Sequence, residues 1–269
     1  MTTVSKDEFF QFTKELCERV GAYQTQKWGT ALNIEHKGEI NLVTEVDKHS
    51  EKLIVEAIQS RFPDHDILAE EGSGERKDSP YKWIIDPLDG TTNFAHAYPL
   101  FAISIALEFE GKILAGAVYV PILKELFQGY AGEGAFLNDK PIQVSQSKTV
   151  LDSMVATGFA YNLRETHDNN INHFKNVLLK AGAVRRDGVA AIDLCYVACG
   201  RYDAFWELDL FPWDTAAGMV ICEEAGGRTS RFDGTKYTVY EREILISNSL
   251  IHDEMVSILK PGIPRGPRR

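Results

Sequence analysis

Apolar residues Phe9, Phe12, Leu16, Val20 and Tyr23 recur at helical spacing behind Ser5-Lys6-Asp7-Glu8, which reads as a capping box. A loop is expected over residues 35–41. Thr44-Glu45-Val46-Asp47 repeats the Thr-x-x-acid signal and opens a helix with Leu53, Ile54, Ala57, Ile58 and Phe62 on one face, stopped by Pro63. From Ile67 the rhythm changes. Ile67-Leu68-Ala69 and Trp83-Ile84-Ile85 are short apolar runs that end on acids. Residues 101–109 and 113–120 flank Glu110-Gly111, a hairpin signal, and the three glycines within 125–137 suggest another. This half is expected to be an antiparallel sheet with helices on one side.

A polar stretch over 141–151 reads as a junction, beyond which strands and helices alternate. Strands are expected at 155–157, 204–206 and 244–247. Helices are expected over 173–181 (Phe174, Val177 and Leu178 inward, Gly182 at its end), over 190–199 (apolar nearly all round, ended by Gly200), from Pro212 to Ala225, and up to Lys260. Such alternation predicts a smaller α/β half. The expected division is residues 1–146 and 147–269, with the Pro- and Arg-rich tail 261–269 disordered. No internal repeat is visible.

Composition narrows the function classes. With 269 residues, 44% hydrophobic and 25% charged, the chain suits a soluble globular protein. A net charge of −10 argues against a nucleic-acid binder built on phosphate contacts. There is no apolar secretory core at the start and no run of about 18 apolar residues, so a cytoplasmic protein without membrane spans is expected. Cys17, Cys195, Cys199 and Cys222 form no Cys-x-x-Cys pair and read as buried free thiols. The seven histidines show no metal-ligand spacing and are expected mostly at the surface.

The chemistry-bearing segment is Asp86-Pro87-Leu88-Asp89-Gly90-Thr91-Thr92-Asn93-Phe94. Proline lacks an N–H, so the strand before it is expected to stop there. The turn can then aim two carboxylates and the Leu88 carbonyl at one point, a set of hard oxygens that suits magnesium. Gly90-Thr91-Thr92 adds backbone N–H groups at a helix start, a ready anion site. Each piece also has a plain reading. Asp89-Gly90 is ordinary turn chemistry, Glu70-Glu71 could be a solvated strand end, Asp214 behind Pro212-Trp213 a helix cap, and Asp47 only the acid of a capping box.

In combination these segments say more. Residues 86–94, Glu70-Glu71, Asn41-Leu42-Val43-Thr44-Glu45-Val46-Asp47 and Pro212-Trp213-Asp214-Thr215-Ala216-Ala217-Gly218 resemble the inositol monophosphatase family, most closely its bacterial members. Gly188-Val189-Ala190-Ala191-Ile192-Asp193-Leu194 and Glu223-Glu224-Ala225-Gly226-Gly227 extend the match, in family order, over about residues 37–227. The resemblance implies an α+β layered αβαβα sandwich, a homodimer, and a lithium-sensitive phosphatase. That enzyme would use Mg²⁺ to hydrolyse myo-inositol monophosphate with a metal-activated water.

By resemblance, Glu70, Asp86 and the Leu88 carbonyl hold a first ion, and Asp86, Asp89 and Asp214 a second. A third, looser ion sits near Glu70 through water. Thr91, backed by Asp47, orients and helps deprotonate the attacking water, and Gly90 lies at the phosphate. Lys37 corresponds to a mobile-loop lysine. Gly188, Val189 and Ala190 line the substrate ring, Glu207 accepts from its hydroxyls, and Asp89 and Asp214 touch hydroxyls beside the ester. Many members carry serine or threonine where this chain has Val189, a departure that bears on ring recognition. Related sugar phosphatases, fructose-1,6-bisphosphatase, histidinol-phosphatase and nucleotide-type enzymes share the chemistry. A regulatory interaction protein that keeps the fold is the alternative of another class.

Overall fold

The computed structural model describes residues 4–31, 34–36, 42–167 and 169–259. Lys37, Asn41 and the tail 261–269 lie outside the described residues. The Ser5 hydroxyl accepts the Glu8 N–H and starts α1 (Lys6–Lys27), which buries Phe9, Leu16, Cys17 and Val20. Glu8 does not close the expected box, because its carboxylate takes Arg61 at 2.7 Å. Where a plain loop was expected, β1 (Ile34–His36) and β2 (Leu42–Thr44) pair antiparallel. Strands of three residues are too short to print a period-2 pattern. Thr44 then caps α2 (Glu45–Arg61), here with a true capping box closed by Asp47.

The strands β3 (Asp66–Ala69) and β4 (Tyr81–Asp89) are parallel; after α3 (Thr91–Ala95) come β5 (Ala102–Phe109), β6 (Lys112–Val120), β7 (Glu125–Tyr130), β8 (Gly134–Leu137) and β9 (Lys140–Pro141). They form one seven-stranded sheet in chain order, antiparallel from β4 onward. The expected stop at Pro87 is corrected. The strand runs on to Asp89, and the ladder to β5 shifts register between Asp86–Ser104 and Asp89–Ala102. A bulge leaves its extra residues unpaired, so the missing proline N–H removes no ladder bond.

The second sheet follows from β10 (Met154–Thr157), α4 (Ile171–Leu178), β11 (Ala183–Arg185), α5 (Ala190–Ala198), β12 (Ala204–Leu208), α6 (Pro212–Glu224), β13 (Arg228–Ser230), β14 (Glu243–Ser247) and α7 (His252–Leu259). Its order is β11-β10-β12-β14-β13, parallel across the first three strands and antiparallel beyond. Helices α1 and α2 cover one face of the large sheet; α5 and α6 lie between the sheets; α4 and α7 cover the far face of the small one. The result is an αβαβα sandwich. Close approach in the middle layer needs small residues: a Cβ at Gly116 would stand 2.5 Å from the Ala217 carbonyl, and one at Gly129 2.9 Å from Ile221 Cα.

Two expectations change in detail. Leu178 is half exposed, and α4 buries His173 and Val177 instead. His65, His173 and His252 are buried, His252 between the Ser230 and Ser247 hydroxyls at 2.8 Å each. All four cysteines are free thiols, and Cys17, Cys195 and Cys222 are buried. No helix among the described residues is long and apolar enough to cross a membrane.

Candidate active site

The bulge at Pro87 is what turns this strand end into a site. Asp86 closes on itself, its Oδ1 accepting the Leu88 N–H at 2.9 Å. Gly90, at φ 91°, makes the left-handed corner that starts α3. A side chain there would also collide, since a Cβ would lie 2.8 Å from Val189 Cγ2. The corner sets Thr91, whose hydroxyl donates to Asp47 Oδ1 at 2.7 Å and to the Leu88 carbonyl at 3.2 Å. Asp47 therefore satisfies both of its sequence readings. One carboxylate oxygen closes the capping box on the Thr44 N–H at 2.9 Å; the other holds Thr91, 44 residues away.

Two further acids reach this corner. Glu70 follows β3 and is tied to β4 by its N–H, which donates to the Ile85 carbonyl at 3.2 Å. Asp214 stands in the first turn of α6, where its Oδ2 accepts the Phe211 N–H at 2.6 Å. Ser104 on β5 donates to the Trp213 carbonyl at 2.9 Å, fixing that helix start to the large sheet.

The electrostatics show that these groups face one another. Burial, then Glu70, Asp89 and Asp214, pushes the Asp86 carboxyl well above the usual carboxylate range; the Leu88 N–H draws it back. Burial carries Asp89 to about 7 against the opposing pull of the Ala191 and Gly90 N–H groups, with Glu70 adding to the rise. Asp214 is raised well above its ordinary value by burial and by Asp89, Glu70 and Glu207, and the Phe211 N–H opposes. Burial also raises Asp47, with Thr44 and Thr91 donating against it.

Among the described residues, no group of three or more His, Cys, Asp or Glu side chains is already drawn together as a metal-ligand set. One oxygen each of Asp86, Asp89 and Asp214 is turned to a backbone N–H, from Leu88, Ala191 and Phe211. The donor chemistry nonetheless fits a hard divalent cation. It consists of carboxylates and a backbone carbonyl, held close enough to raise one another's proton affinity.

The small sheet supplies the opposite wall. Asp89 Oδ2 accepts the Ala191 N–H at 2.7 Å, which brings the first turn of α5 against the bulge. Asn93 Nδ2 donates to the Leu100 and Asp187 carbonyls, both at 2.9 Å, and so binds the two halves beside Gly188. Val189 is 1% exposed, in the core between the sheets and against Gly90. Its side chain packs into that core. Ala190 is buried beside it.

Glu207, on β12, is not the exposed strand residue that composition would favour. It is 7% exposed, and burial, then Asp89, pushes its carboxyl up to about 8 while Arg186 draws it back. The carboxyl lies directly over Gly158, where a Cβ would be 2.2 Å from Oε2.

Several contributors escape sequence reasoning. Gln24, buried on α1, donates to the Pro87 carbonyl at 2.7 Å and to Ser50 at 3.2 Å, clamping the bulge from behind. Glu51, buried on α2, accepts from the loop that carries Glu70. Tyr161, half exposed, hydrogen-bonds the Thr92 side chain near Asp89, Glu70 and Asp214. A buried polar residue on an otherwise apolar helix face is the signal that could have revealed Gln24 and Glu51.

Relatives share this arrangement of elements. The family model described as "Inositol monophosphatase family" matches residues 5–261. An inositol-1-monophosphatase of Synechocystis sp. is 44% identical over 253 residues, 93% of this chain and 88% of that protein. The solved inositol monophosphatase of Anabaena (Nostoc) sp. superposes with a TM-score of 0.88 at 41% identity, covering 96% of this chain and 97% of that one. The extragenic suppressor protein suhB of Bartonella henselae gives 0.89 at 36% identity, over 95% and 99%. A match across nearly the whole chain, in sequence and in fold, decides the matter: the chain belongs to the inositol monophosphatase family of phosphoric monoester hydrolases.

Proposed function

We propose that the protein hydrolyses a myo-inositol monophosphate to inositol and phosphate with Mg²⁺. The observation that carries the reading is Thr91. Its hydroxyl is held by Asp47 on one side, and Glu70, Asp86, Asp89 and Asp214 gather on the other. Glu70, Asp86 and the Leu88 carbonyl would hold one ion and Asp86, Asp89 and Asp214 a second, with a third near Glu70 through water. Ions bound there neutralise phosphate oxygens, lower the pKa of water and stabilise the leaving alkoxide.

The chain's own groups do the rest. Because Thr91 Oγ1 donates its proton toward Asp47, its lone pairs are left to accept a proton from a water. The raised proton affinity of Asp47 suits it to take that charge onward. Gly90 gives the phosphate close access to backbone. Gly188, Val189 and Ala190 contribute backbone to the ring site, and Glu207, protonated near neutral pH, can donate to or accept from ring hydroxyls. Asp89 and Asp214 stand beside the ester.

We further propose a lithium-sensitive cytoplasmic homodimer whose functional halves divide at residues 146 and 147. A phosphate-release panel tests the reading: inositol 1-phosphate, fructose 1,6-bisphosphate, histidinol phosphate, NADP and adenosine 3′,5′-bisphosphate, each with Mg²⁺. Inositol 1-phosphate is expected to give the highest kcat/KM. Activity undiminished by excess chelator would remove the metal from the mechanism, and preference for a nucleotide would move the substrate class.

A further inference from the structure

Glu51 has no part in the roles assigned above, yet its side chain is fully buried. It lies one turn beyond Asp47 on α2, so both carboxylates point from the same helix face toward the large sheet. Asp47 reaches Thr91. Glu51 reaches the turn after β3: its Oε2 accepts the Glu71 N–H at 2.7 Å and its Oε1 the Ser73 N–H at 2.9 Å.

The backbone donors of that turn can be followed one by one. Glu70 N–H goes to the Ile85 carbonyl and Gly72 N–H to the Ala69 carbonyl. Glu75 closes the turn by exchanging both bonds with Ile67, at 2.8 and 3.0 Å. The donors at the tip, Glu71 and Ser73, both go to Glu51. Gly72 between them has φ 91°, which bends the tip so that both face the helix. Fully burying a carboxylate behind a group of acids is costly, and two backbone donors compensate for it. That cost is out of proportion for a loop that only needs closing, since the Ile67–Glu75 bridge already closes it.

We propose that Glu51 is a positioning residue that fixes the direction of Glu70 and thereby sets the affinity for Mg²⁺. Helix α2 acts as a jig with two carboxylates a turn apart, one holding the proton-accepting threonine and the other the metal-ligating loop. The inference rests on the reading of Glu70 as a ligand. Groups that orient metal ligands typically change affinity by about 10–100-fold when altered.

The test uses calorimetric Mg²⁺ titration of the full chain, its metal-free melting temperature, and kcat and KM across Mg²⁺ concentrations. E51Q keeps the size but presents an amide N–H₂ to one of the two donors. E51D keeps the charge but withdraws it by one methylene. Both are expected to lose Mg²⁺ affinity by about 10–100-fold, to recover turnover at high Mg²⁺, and to keep KM for the phosphate ester at saturating metal. Loss of melting temperature with wild-type Mg²⁺ affinity in either variant would make Glu51 structural and overturn the proposal. Weakened affinity in E51Q but not E51D would assign the effect to charge, which also overturns it. If the wild-type chain itself takes up no Mg²⁺, the metal reading of the site fails, and the role of Glu51 with it.

Discussion

Two groups of acids stand on either side of the first turn of α5, and the fold handles them in opposite ways. On one side the carboxylates of Asp86, Asp89 and Asp214 accept backbone N–H groups, from Leu88, from Ala191 and Gly90, and from Phe211, while their charges face one another. On the other side Asp193 is fully buried against Asp187, which also accepts the Tyr202 hydroxyl. Burial, then Asp187 as both a charge and a hydrogen-bond partner, holds the Asp193 carboxyl well above the usual range. Its Oδ1 is buried without a hydrogen-bond partner. The second group is closed by pairing between side chains, Asp193 with Asp187 and Asp187 with Tyr202, whereas the first is open and suited to a divalent cation. Burial and like charge alone do not mark a catalytic site; several carboxylates converging beside a backbone carbonyl and a threonine hydroxyl do.

The largest expected effect breaks the open group. Asp89→Asn or Asp214→Asn should reduce phosphate release to background while the metal-free fold persists, because each removes a ligand and a like-charge repulsion together. Wild-type turnover in both variants would sink the ligand assignment. Asp193→Asn should spare turnover, since an amide N–H can replace the carboxyl donor toward Asp187.

The next effect is on pH. Glu207 has its folded-state value raised to about 8 and Asp89 to about 7, both above their unfolded values near 4. The folded state therefore binds more protons than the unfolded state between those limits. Stability of the metal-free protein is full below about pH 4 on this account and falls as pH rises through 7 and 8. The slope is at most about 1.4 kcal/mol per pH unit for each group. Melting at pH 6 and pH 8.5 checks this, and Mg²⁺ should flatten the slope by holding Asp89 ionised without a proton. A metal-free protein that is more stable at pH 8.5 would contradict the burial argument.

In the closed group, Asp193→Leu should cost about 1–3 kcal/mol by leaving Asp187 without its donor, and Asp193→Asn much less. Denaturant unfolding of the two variants separates them. Equal losses would mean that Asp193 serves by volume and not by its proton.

What could be read beforehand follows the range of the interaction. The Asp86–Phe94 run and the Thr44–Asp47 box are local, so their residue types carry their geometry in sequence. Pro87 misled because its missing N–H marks a strand end and a bulge alike. Asp47 was legible as a cap within three residues, but its bond to Thr91 spans 44. Gln24 reaches 63 residues to Pro87 and Glu51 20 residues to Glu71; each interrupts an apolar helix face in sequence, but its distant partner leaves no mark there. Glu207 became interpretable only once β12 placed it over Gly158. Long-range polar contacts leave no periodic trace, so they appear only with the fold.

Val189 gives the smallest effect and the finest distinction. It occupies the N-cap position of α5 in an extended conformation and makes no side-chain cap. A threonine there would present its hydroxyl toward the Ile192 N–H, the Ala191 N–H being held by Asp89, a contact valine lacks. Its methyl would still fill the contact with Gly90. A serine or threonine at this position would thus act as a helix cap, and the turn it would steady is the one that separates the two acidic groups. Val189→Thr should raise stability by about 0.5–1 kcal/mol and leave KM for inositol 1-phosphate unchanged. A lower KM with unchanged melting would instead put that hydroxyl on the substrate ring and make the α5 turn part of recognition.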